Sequence, residues 1–251
     1  MKKLIIANWK MHYGPIKAGG WIRAFRRERL PKDVDIAVAA PFVSIPAVRA
    51  SLGRAAIPAL AAQDCFWSDE GPFTGEIAPS MLLEFVTEYC LVGHSERRIN
   101  LGETDEMVSK KTAALQKAGI TPVICVGETE AQRRRGEASK VVRMQVQSAL
   151  AGVKDDGRAA AVIAYEPVWA IGSGRPCSPL DAKEMHAVIR SVLHKRFSQS
   201  AELMRVIYGG SVDARNVAEY FSTTGVDGAL VGGASLDPSV FGLLCRAANP
   251  V

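Results

Sequence analysis

Ala161-Val162-Ile163-Ala164-Tyr165-Glu166-Pro167-Val168-Trp169-Ala170-Ile171-Gly172-Ser173-Gly174 is a short apolar run followed at once by a carboxylate. Ala161 to Tyr165 has the unbroken hydrophobicity of a strand buried on both faces of a parallel sheet. Pro167 stops that strand, because proline has no N–H to give to a ladder. Val168 to Ile171 are apolar in what must be a loop, and Gly172-Ser173-Gly174 closes the segment with flexible backbone. An acid at the C-terminal end of a buried strand, followed by an apolar loop between proline and glycine, predicts a general base, Glu166, beneath a lid. The plainer alternative is a buried loop that merely contains a glutamate. It fits less well, since loops ordinarily run polar and exposed.

The same alternation of strand-like and helix-like segments continues on both sides. Strands are predicted at 4–7, 35–40, 59–62, 89–92, 121–126, 161–165, 204–208 and 226–231. Helical patterns are predicted at 16–29, from about 45, at 80–86, 104–117, 129–150, 179–197, 212–221 and 238–247. Thr104 is placed to cap one of these, and Ser178-Pro179 supplies a cap followed by proline at the first helical position. Eight strand–helix units without a linker predict one domain, residues 1–251. Right-handed crossovers between parallel strands close such a chain into a (β/α)8 barrel of the TIM type, in the α/β class. An open doubly wound sheet is disfavoured, because no G-x-G-x-x-G follows the first strand.

Composition agrees with a globular chain: 251 residues, 48% hydrophobic and 23% charged. The net charge of +5 favours an anionic ligand by steering, or serves solubility alone. The basic runs Arg26-Arg27-Glu28-Arg29 and Arg133-Arg134-Arg135 lack interleaved aromatics and read as solvated helix faces, not a nucleic-acid surface. The five cysteines are odd in number and form no C-x-x-C pair, so free thiols in a reducing compartment are expected. Asn8-Trp9-Lys10 ends the first apolar run too early for a secretion signal. The longest uncharged stretch, between Asp35 and Arg49, contains two prolines and is no membrane span. A cytoplasmic protein without membrane contact is expected.

In a barrel of this kind chemistry sits at the C-terminal strand ends. The first strand delivers Asn8-Trp9-Lys10, an amide and a cation. The fourth delivers Gly93-His94-Ser95-Glu96-Arg97-Arg98, with His94 as an acid–base or electrophilic group; a structural histidine is the alternative. The fifth delivers Cys125-Val126-Gly127-Glu128, where no base activates the thiol and packing is the better reading. The seventh and eighth deliver Gly209-Gly210-Ser211 and Gly232-Gly233-Ala234. Paired glycines before helices let backbone N–H groups approach an anion, as a phosphate site after the last two strands requires.

These segments, with Ala164-Tyr165-Glu166-Pro167-Val168-Trp169-Ala170-Ile171-Gly172 foremost, resemble the triosephosphate isomerase family, in order and over the whole chain. The resemblance implies interconversion of dihydroxyacetone phosphate and glyceraldehyde 3-phosphate through an enediolate, in glycolysis and gluconeogenesis. It implies Glu166 as base, His94 as a neutral electrophile, Lys10 as the charge facing the oxyanion and Asn8 as a substrate-holding amide. It further implies Gly172, Ser211, Gly232 and Gly233 as a phosphate clamp, and a lid, 167–177, that excludes water. Neither a metal nor an organic cofactor is implied. The segment Asp64–Pro79 is similar to the family's dimer loop, with Thr74-Gly75-Glu76 near its tip, and implies a homodimer.

Three departures stand out. Arg175-Pro176-Cys177 replaces the family's usual lysine and small residues at the lid's trailing hinge, which predicts altered lid kinetics. His12 and Asp64 stand where the family commonly has asparagine. Two rival functions remain at this level: a paralogue acting on a four-carbon sugar phosphate, and a phosphosugar-binding protein without catalysis. Intact Glu166, His94 and Lys10 argue against the second.

Overall fold

A computed structural model describes residues 1–55, 57–157, 159–171, 177–198 and 200–248. Eight parallel strands close on themselves in sequence order. They are β1 (Lys3–Asn8), β2 (Val34–Ala40), β3 (Ala59–Ala62), β4 (Thr87–Val92), β5 (Thr121–Val126), β6 (Val162–Tyr165), β7 (Val206–Tyr208) and β8 (Gly228–Val231). The seam runs from Leu4↔Gly228 to Ala7↔Val231. Between the strands lie α1 (Pro15–Phe25), α2 (Ile45–Leu52), α3 (Pro79–Leu83), α4 (Ser95–Leu101), α5 (Asp105–Ala118), α6 (Glu130–Arg134), α7 (Ala138–Ala149), α8 (Pro179–Arg196) and α9 (Val217–Ser222), and α10 (Pro238–Ala247) follows β8. No helix among the described residues is long and apolar enough to cross a membrane.

The two-residue period of a strand divides the core into two layers. Leu4, Ile6, Ala37, Ala39, Leu91, Val123, Cys125, Ala164, Ile207 and Leu230 fill the barrel interior. Their neighbours Ile5, Ala7, Val38, Val92, Ile163, Tyr165, Tyr208 and Val231 face the other way and pack in one cluster with Trp21, Phe25, Val48, Leu115 and Phe241 from the helices. Alanines share the interior with large aliphatic residues, an alternation of sizes that suits a narrow lumen. Continuing the same alternation by two residues brings Asn8, Glu166, Gly209 and Gly232 to the inner side at the mouth. The site is therefore set by strand parity.

Several helix ends follow from side-chain caps. Thr104 accepts the Met107 N–H, Ser178 accepts the Asp181 N–H, and Asp237 accepts those of Ser239 and Val240. Three elements differ from the sequence reading. The helix expected over 129–150 is two, α6 and α7, split at Gly136. The helix expected from Val212 starts at Val217, because Asp213 Oδ1 accepts the N–H groups of Arg215 and Asn216 and Asn216 Oδ1 accepts that of Asp213. This local turn competes with helix. The third element, α4, carried no amphipathic signal: only Ser95 is buried, while Ile99 and Leu101 face outward.

Candidate active site

A cavity of about 490 Å³ opens at the C-terminal ends of the strands. Asn8, Lys10, His94, Glu166, Ser211, Gly232 and Gly233 all line it, so these sequence-predicted residues converge on one space. Gly172, with the rest of lid residues 172–176 and so the Arg175-Pro176 hinge, lies outside the described residues.

Glu166 is 2% exposed. Its Oε2 accepts the Ser95 N–H at 2.9 Å, and its Oε1 lies 3.0 Å from His94 Nε2. That second approach is close but not aligned as a hydrogen bond, which leaves Oε1 without a donor among the described residues. Burial disfavours the carboxylate charge; His94 and the Ser95 N–H outweigh it and hold the Glu166 pKa below the ordinary value. His94 caps α4, and its Nδ1 accepts the Glu96 N–H at 3.2 Å. The neutral ring therefore carries its proton on Nε2, towards the cavity. Burial, the largest single influence, pulls the His94 pKa down, but the facing Glu166 carboxylate and Glu96 together raise it above the ordinary value.

Two glycines that the sequence reading did not place beside the base, Gly127 and Gly209 of the expected anion turn, shape its bed. A Cβ at Gly127 would lie 1.7 Å from the Glu166 carbonyl oxygen, and one at Gly209 would lie 2.9 Å from Glu166 Cγ. Only a bare backbone fits beside Glu166 at either place.

Lys10 enters from the opposite wall with φ of 51°. Asn8 Oδ1 accepts its N–H at 3.0 Å, and Gln63 Nε2 donates to its carbonyl and to that of Ala39, each at 2.9 Å. Buried Trp9, packed edge-on against Tyr13 and Trp21, anchors the same turn. These contacts compensate a backbone conformation that a non-glycine residue rarely adopts. Lys10 Nζ meets Glu96 Oε1 at 2.5 Å, with both side chains partly exposed. Neither Gln63 nor Glu96 was legible as a partner of Lys10 in the sequence, because both arrive from other strands.

Behind the leading end of the expected lid sits Glu128, with no exposed surface. It accepts hydrogen bonds from Tyr165 Oη (3.1 Å), Trp169 Nε1 (2.9 Å) and Arg133 Nη1 (3.1 Å). Arg133 also pairs with Asp181 at 2.6 Å and stacks over the Trp169 ring. Arg133 is thus no member of a solvated face, which corrects the sequence reading; Arg134 and Arg135 are exposed as expected. Only one of three consecutive arginines turns inward on α6, and composition cannot tell which. Cys177 is buried, and burial pushes its thiol up to about 12. Cys125 is wholly buried in the barrel interior.

Residues 64–79 leave β3 as a loop closed by Phe66 N–H to Ile77 O at 2.8 Å, with Phe66 packed between Trp67 and Phe73. A second cavity, about 520 Å³, lies beside the first and is walled by Lys10, Met11, Phe42, Gln63, Arg97 and Leu101 among others.

Residues 3–248 match the family described as triosephosphate isomerase. Proteins of that name from Pseudomonas paraeruginosa, Ectopseudomonas mendocina and Dechloromonas aromatica are 45%, 44% and 44% identical to this chain, each match covering 99% of both sequences. With an unbroken match across a closed eight-stranded barrel, the chain belongs to the triosephosphate isomerase family.

Proposed function

We propose that this chain, as one barrel domain over residues 1–251, interconverts dihydroxyacetone phosphate and D-glyceraldehyde 3-phosphate in glycolysis and gluconeogenesis. The observation that carries the residue assignment is the convergence of Glu166, His94 and Lys10 on the cavity lined by Ser211, Gly232 and Gly233. Glu166, held ionised and with one lone pair undirected, takes a proton from the carbon beside the substrate carbonyl. The electron pair left behind forms the enediolate, and the same carboxyl returns the proton to the neighbouring carbon.

His94 Nε2–H donates to the carbonyl oxygen as negative charge grows there. Turning Glu166 towards the substrate removes the carboxylate that raises the ring's pKa. Burial and the Glu96 N–H on Nδ1 then favour neutral imidazole. Lys10 places a cation where the oxyanion and the phosphate need one, and Asn8 holds both the Lys10 turn and the substrate. Ser211, Gly232, Gly233 and Gly172 bind the phosphate through backbone N–H groups. The route uses protein groups alone, without metal or cofactor.

The functional unit is a homodimer in a cytoplasmic setting. Its interface loop is 64–79, and the second cavity beside Lys10 is where the partner's loop seats. Exposed Met11 and Leu101 at the rim of that cavity support this arrangement.

A coupled assay with glyceraldehyde 3-phosphate tests the assignment. Glu166→Gln is expected to lower kcat by about 10²-fold or more, the contribution of a general base. Unchanged turnover refutes the role.

A further inference from the structure

β6 and β7 both end in a tyrosine that faces away from the lumen, Tyr165 and Tyr208. The Tyr208 ring stacks on Tyr220 of α9, with centroids 4.2 Å apart and planes 16° from parallel. Tyr220 is buried, and its hydroxyl donates to the carbonyl of Cys177. The Tyr208 hydroxyl is buried and has no hydrogen-bond partner among the described residues. It also lies against the next turn of chain: a Cβ at Gly210 would come within 2.2 Å of it. The backbone at Gly210, in the middle of the Gly209–Ser211 turn, therefore lies against the Tyr208 hydroxyl. The stacked Tyr220 ring is what packs the Tyr208 side chain in place, and Tyr220 is fixed by Cys177.

We propose that Tyr220 is a positioning residue for the reaction. Its ring holds Tyr208 against the Gly209–Ser211 turn, and its hydroxyl ties the pair to the main chain at Cys177. The geometry of the anion-binding turn then depends on a helix residue that touches no substrate. This rests on the reading of Ser211 and its neighbours as part of the phosphate site. The bland alternative is that Tyr220 only fills the space between α9 and the barrel. The two make different predictions, because filling space affects stability while holding the turn affects anion affinity.

The experiment compares wild type, Tyr220→Leu and Tyr220→Phe. It measures kcat and KM for glyceraldehyde 3-phosphate and the Ki of inorganic phosphate as competitor. Tyr220→Leu loses both ring and hydroxyl, and is expected to raise KM and Ki together by about two- to tenfold, the range that loss of one aromatic stack converts to. Tyr220→Phe keeps the ring, folds if the leucine variant does not, and is expected to show a smaller rise in both constants through loss of the Cys177 tie. A lower melting temperature with KM and Ki unmoved in both variants overturns the proposal and leaves Tyr220 a packing residue. If inorganic phosphate does not compete in the wild type, the failure belongs to the phosphate-site reading instead.

Discussion

Glu166 Oε1 and His94 Nε2 face each other at 3.0 Å across the floor of the cavity, each on a side chain almost fully buried. Two groups so placed set each other's ionisation. Burial alone would raise the Glu166 pKa; His94 and the Ser95 N–H bring it below the ordinary value. A depressed folded-state pKa means that the carboxylate contributes stability above its unfolded value, about 4.3, and loses it as pH falls through the folded value. The acid limb of kcat/KM for the wild type is therefore expected below that of an ordinary glutamate. In His94→Gln the main lowering cause is gone and burial remains. The acid limb should move up, on top of a loss in rate. A limb that stays where it is in the variant means that the histidine does not tune the base.

Gly209 and Gly127 separate catalysis from stability. A methyl at Gly209 meets the movable Cγ of Glu166, so Gly209→Ala is expected to displace the carboxylate. A shift on the order of 1 Å in a catalytic group costs up to about 10²-fold in rate, and kcat should fall with little change in KM. A methyl at Gly127 meets the Glu166 carbonyl, which is strand-end backbone and cannot give way. Gly127→Ala should lose about 3 kcal/mol or more of stability, at the upper end of overpacking effects. Thermal unfolding beside steady-state kinetics distinguishes the two. Equal behaviour of the two variants would contradict this account.

The contrast between these residues and their neighbours explains what could be read from the sequence. Glu166, Lys10, His94 and the glycine pairs each follow directly on an apolar strand, and strand parity carries Asn8, Glu166 and Gly232 inward. Local order along the chain was enough to find them. Gln63, Glu128 and Arg133 act through partners 24 to 53 residues away. Glu128 stood in view beside Cys125, yet its meaning depends on Trp169 and Tyr165 arriving from β6. The start of α9 was misplaced for a different reason. Asp213 and Asn216 satisfy backbone N–H groups locally, and side-chain competition of this kind has no hydrophobic period.

The loop 64–79 carries its own test. Replacing Thr74 with arginine puts charge and bulk at the tip that the proposed dimer seats in a neighbouring copy. Sedimentation should show a monomer, with activity reduced. A variant that remains dimeric at the same concentration removes the tip from the interface.

At the root of that loop, Lys111 is 2% exposed and touches Asp64 at 2.7 Å and Glu103 at 2.6 Å. Arg97 bridges the same two carboxylates at 2.8 and 3.1 Å. The partners respond differently. Burial works against the lysine charge, yet the two carboxylates outweigh it and raise the Lys111 pKa. For Asp64 burial prevails over Lys111 and Arg97, and its pKa is raised as well. The lysine thus gives stability that is complete at neutral pH and lost only as pH rises through its folded value. The Asp64 charge reduces stability once pH exceeds its unfolded value of about 3.9. Lys111→Met leaves two buried carboxylates to Arg97 alone. A loss of about 3–5 kcal/mol is expected at pH 7, as for a buried pair with one partner removed. The loss should shrink at pH 5, nearer the raised Asp64 pKa, where that stranded carboxylate takes up a proton more readily. Adding Asp64→Asn, which removes one of the two stranded charges, should recover part of it at pH 7. Urea denaturation at both pH values measures this, and a Lys111→Met deficit that is the same at pH 5 and pH 7 would show that packing, not charge, is what the lysine provides.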